Sequence, residues 1–261
     1  MLFRSLPEWN GIFAAAIFNL EENEIHLIRD RFGVKPLYIY EDEEVVAFAS
    51  EAKVILDWLE NFSINMQGLA QYMWYGNTTG KQTMIEGMRK LEPGSHIVFD
   101  SKGGKKLRAN KFWSIKGDVN PIKISEDEAI EELKFKLGKA DDRQLVADVP
   151  LGVLLSGGID SSAIVAHASK QISKKLDTYT VSYDYNIGGQ SEVAKAKMIA
   201  NLFETNHQEL HIKADDVKKT FSKLVFQYDE PFADSASIPL YQLARECSLD
   251  KKVILQGDGG D

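Results

Sequence analysis

Ser156-Gly157-Gly158-Ile159-Asp160-Ser161-Ser162 gathers glycines, hydroxyls and one carboxylate directly behind the apolar run Leu151-Gly152-Val153-Leu154-Leu155. A short buried strand, a loop of small residues and then a helix form an anion site. Glycine lets the backbone come close to a ligand, and the helix start aims free N–H groups and positive dipole at it. The lysine of a G-x-x-x-x-G-K-[ST] loop is absent. Asp160 instead puts an acid where a phosphate would sit, which makes chemical sense when Mg²⁺ bridges the two. S-G-G alone is also ordinary turn composition; the strand before it and the helix after it favour the phosphate reading. A second loop, Gln256-Gly257-Asp258-Gly259-Gly260-Asp261, follows the apolar Val253-Ile254-Leu255. Its small residues again permit close approach, and Asp160 with Asp261 would suit a pyrophosphate-bound Mg²⁺.

The elements that must position these loops alternate in type. Strand Leu151–Leu155 leads to a helix over 161–170, and strand Asp177–Ser182 to a helix over 191–202. Strand Gln208–Ile212 leads to a helix over 215–227, and a helix over 238–247 precedes strand Lys252–Leu255. This order demands a mostly parallel sheet with helices on both faces, whose ligands sit at the carboxyl ends of the strands. Ser125-Glu126-Asp127-Glu128 reads as a capping box, opening a helix whose apolar face is Ile130, Leu133 and Leu137.

Upstream the pattern is different. Ile12–Leu20, Glu24–Arg29, Pro36–Tyr40, Val45–Ala49 and His96–Phe99 read as short strands of stacked antiparallel sheet, with a hairpin turn over 41–44. A helix is expected over 65–75, with Leu69, Tyr72 and Met73 on one face and Tyr72-Met73-Trp74-Tyr75 contributing to a core. The fold class is therefore α/β: an antiparallel domain over 1–116, a linker over 117–125, and a parallel-sheet domain over 126–261.

The 261 residues carry a formal charge of −8 with acids and bases interspersed. That excludes a nonspecific nucleic-acid binder and fits an enzyme of small metabolites. Lys102 to Arg108 and Lys251-Lys252 read as solvated faces. The one cysteine, Cys247, excludes a disulfide framework or a four-cysteine zinc site and reads as a buried thiol. His207 and His211 read as structural or surface histidines at a strand. The longest apolar run, residues 11–18, is too short to span a bilayer, and no signal-peptide pattern precedes it. The expected compartment is the cytoplasm, with no membrane and no nucleic acid as partner.

Several blocks together carry a family resemblance: Asp148-Val149-Pro150 before the S-G-G-I-D-S-S loop, Asp229-Glu230-Pro231-Phe232-Ala233-Asp234-Ser235, and Gly257 to Asp261. The early half adds Asn10-Gly11-Ile12-Phe13-Ala14, Arg29-Asp30-Arg31-Phe32-Gly33-Val34-Lys35-Pro36-Leu37-Tyr38, Ala49 to Lys53 and Lys90 to Gly94. The chain resembles a segment of a glutamine-hydrolysing asparagine synthetase, and its S-G-G loop resembles the family's pyrophosphate loop (PP-loop). The resemblance implies the later part of an N-terminal-nucleophile glutaminase domain, followed by a PP-loop synthetase sheet. It implies ATP and Mg²⁺, with aspartate and glutamine or ammonia as small-molecule partners. For the full-length parent it leaves room for a homodimer.

By that resemblance, Ser156, Gly157, Gly158, Ser161 and Ser162 hold pyrophosphate, and Asp160 and Asp261 hold Mg²⁺. Leu154, Val181, Gln256 and Gly257 contact the nucleotide, and Asp258 assists the attack of ammonia. Many relatives have serine at the place of Gln256. The family's glutaminase uses an N-terminal cysteine as nucleophile, whereas this chain opens Met1-Leu2-Phe3. The expectation is a fragment that binds nucleotide weakly at best and makes no asparagine alone. A related adenylating, amide-forming ligase with another acceptor, or a noncatalytic remnant, are the competing readings.

Overall fold

The computed structural model describes residues 2–43, 45–115, 121–183, 190–212 and 214–257. The chain divides into two compact units, residues 1–120 with 225–234, and residues 121–224 with 235–261.

In the first unit the strands are β1 (Ala14–Asn19), β2 (Glu24–Arg29), β3 (Tyr38–Glu41) and β4 (Val46–Ala49). Helices α1 (Ala52–Trp58) and α2 (Met66–Tyr75) follow, then β5 (Met88–Lys90), β6 (Ser95–Asp100) and β7 (Lys106–Lys111). They build two antiparallel sheets, ordered β1-β2-β6-β7 and β4-β3-β5. Alternation decides what each face buries. Leu27, Ile97 and Phe99 meet Leu37, Ile39 and Leu91 in one core. Tyr38 and Met88 turn to the other face, where Ala52 and Ile55 of α1 cover them.

Helix α2 is capped by Asn65, whose side chain accepts from the N–H groups of Gln67 and Gly68. It packs through Gly68, where a Cβ would collide with the backbone of Thr83. That inverts the expectation for its aromatic run: Met73, Trp74 and Tyr75 are exposed. The side without a side chain faces the protein, so the bulky residues face away.

In the second unit, helix α3 (Glu126–Gln144) is followed by β8 (Leu151–Leu154), α4 (Ile159–Gln171), β9 (Asp177–Tyr183) and α5 (Gln190–Leu202). Then come β10 (Asn206–Ile212), α6 (Ala214–Tyr228), α7 (Ser237–Cys247) and β11 (Val253–Leu255). The four strands are parallel and ordered β10-β9-β8-β11. Val153, Leu155 and Leu255 pack with Val165, Ala168, Ala196 and Ala200 of α4 and α5. Leu154, Tyr179, Val181 and Ile254 pack with Leu243 and Cys247 of α7 on the opposite face. Helices therefore cover both faces of this sheet.

The capping box forms: Glu128 N–H donates to Ser125 Oγ at 3.3 Å, and Ser125 N–H to Glu128 Oε2 at 2.8 Å. The apolar face expected of α3 does not find cover, since Ile130, Leu133 and Leu137 are exposed. The helix instead meets α4 through its later turns, where Gly138 admits His167 and His167 Nε2 lies 2.8 Å from Asp142 Oδ1. Lys251 also departs from expectation. It is buried and held by Asp177 at 2.9 Å and Asp250 at 2.8 Å. In the other basic stretch, Arg108 grips Glu24 through both its carboxylate oxygens, each at 2.8 Å.

His207 and His211 share one face of β10, bonded to Thr178 at 3.0 Å and Ser182 at 2.9 Å. Cys247 is buried, and burial pushes its thiol up to about 11. Among the described residues no helix is long and apolar enough to cross a membrane. The expected linker falls partly at 117–120, outside the described residues, as does position 44 of the expected hairpin turn.

Candidate nucleotide site

β8 ends where its apolar run meets Ser156, and the chain then turns through Gly157 and Gly158 into α4. Gly157 has φ +78°, in the left-handed region that favours glycine. A Cβ there would stand 2.6 Å from Lys195 Cβ and 2.7 Å from Ala196 N, so the loop backbone lies directly on α5. From the other side Gly257 closes in, where a Cβ would be 2.8 Å from Ser161 N and 2.9 Å from Asp160 Cβ. The loop is thus shaped by close backbone approach on two flanks.

Gly158 is the N-cap of α4 and has no side chain to cap with. The N–H groups of the first turn have no intrahelical acceptors, and they carry the positive end of the helix dipole. The hydroxyls are organised around the same turn. Ser156 Oγ and Ser161 Oγ are 3.0 Å apart, and Gly158 N–H donates to Ser156 Oγ at 3.3 Å. Ser162 Oγ donates to Gly158 O at 2.6 Å.

A cavity of about 320 Å³ opens at the carboxyl ends of β8 and β11, beside the middle of β9. Leu154, Ser156, Gly158, Asp160, Ser161, Val181, Gln256 and Gly257 all line it. Gly157 and Ser162 do not: the first is turned to α5 and the second to the Gly158 carbonyl. Asp258 and Asp261 lie outside the described residues. The cavity also takes Tyr179 and Thr180 from β9, Glu192 from α5, and Leu240 and Leu243 from α7. Sequence reasoning passed over all five. The two leucines follow the helical spacing that puts them on one face of α7, but Glu192 looks like any first-turn acid.

One side of this cavity is therefore apolar and suited to a flat ring, while the other presents N–H groups, hydroxyls and a carboxylate. Among the described residues no three acidic, histidine or cysteine side chains gather to hold a metal ion. Mg²⁺ needs only one or two carboxylates when phosphate oxygens complete its shell, so the donors here fit Mg²⁺ arriving with a phosphate.

Two family profiles match successive stretches of the chain. The asparagine synthase family profile matches residues 132–261, and a glutamine amidotransferase domain profile matches residues 4–113. Asparagine synthetase (glutamine-hydrolysing) 1 of Bacillus subtilis is 32% identical over 96% of this chain and 39% of its own length. A putative asparagine synthetase (glutamine-hydrolysing) 2 of Methanocaldococcus jannaschii is 32% identical over 99% of this chain and 50% of its own length.

The chain belongs to the glutamine-hydrolysing asparagine synthetase family. It spans half the length, or less, of these curated relatives.

The blocks that carried the resemblance divide by what their side chains touch. In Arg29-Asp30-Arg31-Phe32-Gly33-Val34-Lys35, Asp30 accepts from the N–H groups of Phe32, Val34 and Lys35 at 3.0–3.1 Å. The Arg29 guanidinium donates to the carbonyls of Gly33, Lys35 and Leu91. This family block ties a loop. Asp229 and Glu230 likewise hold the first unit together. Asp229 Oδ1 pairs with Lys53 at 2.6 Å, and its Oδ2 accepts the Ala52 N–H at 2.7 Å. Glu230 pairs with Lys90 at 2.7 Å and accepts the Met84 N–H at 2.8 Å. Burial and the Glu230 carboxylate push the Tyr38 phenol well above its ordinary range.

Proposed function

We propose that the second unit binds Mg-ATP in the cavity beside the β8–α4 loop. The activity it serves is amide formation, in which aspartate becomes asparagine with ammonia drawn from glutamine. One observation carries this reading: a glycine-shaped loop, an uncapped helix N-terminus and a carboxylate meet an apolar wall at the ends of adjacent parallel strands.

In this reading the aspartate side-chain carboxylate attacks the α-phosphorus of ATP. The α–β bond breaks, and pyrophosphate leaves while β-aspartyl-AMP forms. Ammonia then attacks the acyl carbon, and AMP departs with the bonding pair. The first-turn N–H groups of α4 and the hydroxyls of Ser156 and Ser161 meet the charge that grows on pyrophosphate. Gly157 contributes the shape of the loop, and Ser162 tethers that shape through its bond to Gly158. Leu154, Val181, Leu240 and Leu243 shelter the base, with Gln256 and Gly257 at the rim. Asp160 holds Mg²⁺ with Asp261, and Asp258 assists ammonia. Mg²⁺, when bound, neutralises part of the triphosphate charge.

Calorimetric titration with α,β-methylene-ATP, whose α–β linkage does not break, tests the reading. The chain should bind this analogue in the presence of Mg²⁺, and Asp160→Asn should weaken binding by about tenfold or more. An absence of binding at millimolar analogue by a folded chain sinks the proposal.

A further inference from the structure

Glu192 is the acid in this cavity that no motif announces. It stands in the first turn of α5, and the contact of Gly157 with Lys195 and Ala196 fixes where that turn lies. Glu192 precedes those two residues by three and four positions, which on a helix is the same face one turn earlier. Its side chain is exposed and lines the same cavity as Ser156, Gly158 and Asp160. It makes no hydrogen bond or ion pair with another described residue.

Two carboxylates, each from the first turn of a different helix, therefore flank one loop built to receive an anion. Alone, they repel one another and any phosphate that enters. A divalent cation offsets that repulsion: Mg²⁺ takes one or two carboxylates alongside phosphate oxygens and keeps several waters, which a further carboxylate can hold. The plain alternative is that Glu192 only complements the dipole of α5.

Resting on the nucleotide reading above, we propose that Glu192 supports the Mg²⁺ that accompanies ATP from outside the Asp160–Asp261 pair, by accepting from water that the ion keeps. Its substitution should therefore alter the metal dependence of nucleotide binding rather than binding in general. The test is titration of α,β-methylene-ATP into the wild-type chain and Glu192→Gln, each with Mg²⁺ and with EDTA. Because the side chain is exposed, the variant should fold, which its circular dichroism spectrum checks.

Wild type should bind more tightly with Mg²⁺. E192Q should lose about tenfold or more of that metal-dependent gain, with its EDTA affinity unchanged or tighter. Equal affinities for the two proteins in both conditions overturn the proposal and leave Glu192 a helix-dipole acid. Equal tightening of E192Q in both conditions also overturns it, since simple repulsion then explains the residue. Failure of wild type to bind in either condition removes the nucleotide reading and this proposal with it.

Discussion

The Ser156–Ser162 loop and the Asp229-Glu230 block are both acidic, both prominent in the sequence, and opposite in what they do. Asp160 lines an open cavity whose walls are small residues and backbone. Asp229 and Glu230 are half-buried residues whose side chains are only 5% and 9% exposed, and each has a lysine and a backbone N–H as partner. Asp229 even adopts φ +62°, a left-handed backbone that Asp tolerates better than most residues. A carboxylate whose charge is already matched inside the protein has little left to offer a ligand. One with open space before it can recruit a cation. The difference separates groups that build the fold from groups available for chemistry, and it can be tested one acid at a time.

The largest effect belongs to Glu230. Glu230→Ala leaves the Lys90 ammonium and the Met84 N–H without the carboxylate that matches them. It should cost about 3 kcal/mol, the scale for breaking a largely buried pair by removing one partner. Glu230→Gln keeps an acceptor for Met84 and should cost less. Urea midpoints at constant slope measure both. A loss within 0.5 kcal/mol for the alanine variant, roughly what ordinary surface sites show, would mean the block does not hold the first unit together.

Why this was not legible in advance is a matter of distance along the chain. The acceptors' partners at Met84 and Ala52 lie 146 and 177 residues upstream. No local pattern reports such pairing, so the block looked like part of the later domain alone. The S-G-G loop was legible because everything that shapes it initially is local: an apolar strand, glycines, then a helix start. The Ser125–Glu128 capping box was readable for the same reason. β5 and β7 escaped notice because one has three residues and the other is a lysine-bearing, exposed strand at the end of its sheet. Within the site, the contact of Gly157 with α5 brings Glu192 into play, and that contact is tertiary.

Acidification should separate the two units next. In the first, burial holds His96 down to about 4 and also lowers His26, which is bonded to it at 3.0 Å. Both imidazoles are therefore favoured neutral in the folded state. As pH falls from the unfolded histidine value near 6.5 toward 4, the unfolded chain takes up more protons and stability drops by about 3 kcal/mol. The contribution is complete above that window. His26→Phe/His96→Phe should flatten the pH dependence of unfolding between those limits. An unchanged slope in that double variant overturns the assignment.

In the second unit the sign reverses at Asp141. This carboxylate is buried on α3, its Oδ2 has no hydrogen-bond partner among the described residues, and burial raises its pKa. The folded state thus favours the protonated form. Asp141→Asn should stabilise the protein by about 1 kcal/mol at pH 7, the lower end for relieving an unsatisfied buried group. The gain should fade as pH falls through the folded value toward about 4, since the native acid is then protonated in both states. Equal gain at pH 7 and pH 3.5 would show that packing, and not charge, is responsible.

The smallest stability effect is expected at Asp160, where the fold asks least. Its carboxylate stands in the first turn of α4, so Asp160→Asn gives up a favourable interaction with the helix dipole, about 0.5 kcal/mol. The change also removes a negative charge from the mouth of an anion site, which should offset part of that loss. The net change in urea midpoint should be close to zero, while Mg²⁺-dependent binding of α,β-methylene-ATP falls by about tenfold or more. Glu230→Ala should show the reverse balance, with its main effect on stability. A large stability loss in Asp160→Asn would place Asp160 among the acids that build the fold, and the distinction between the two motifs would fail.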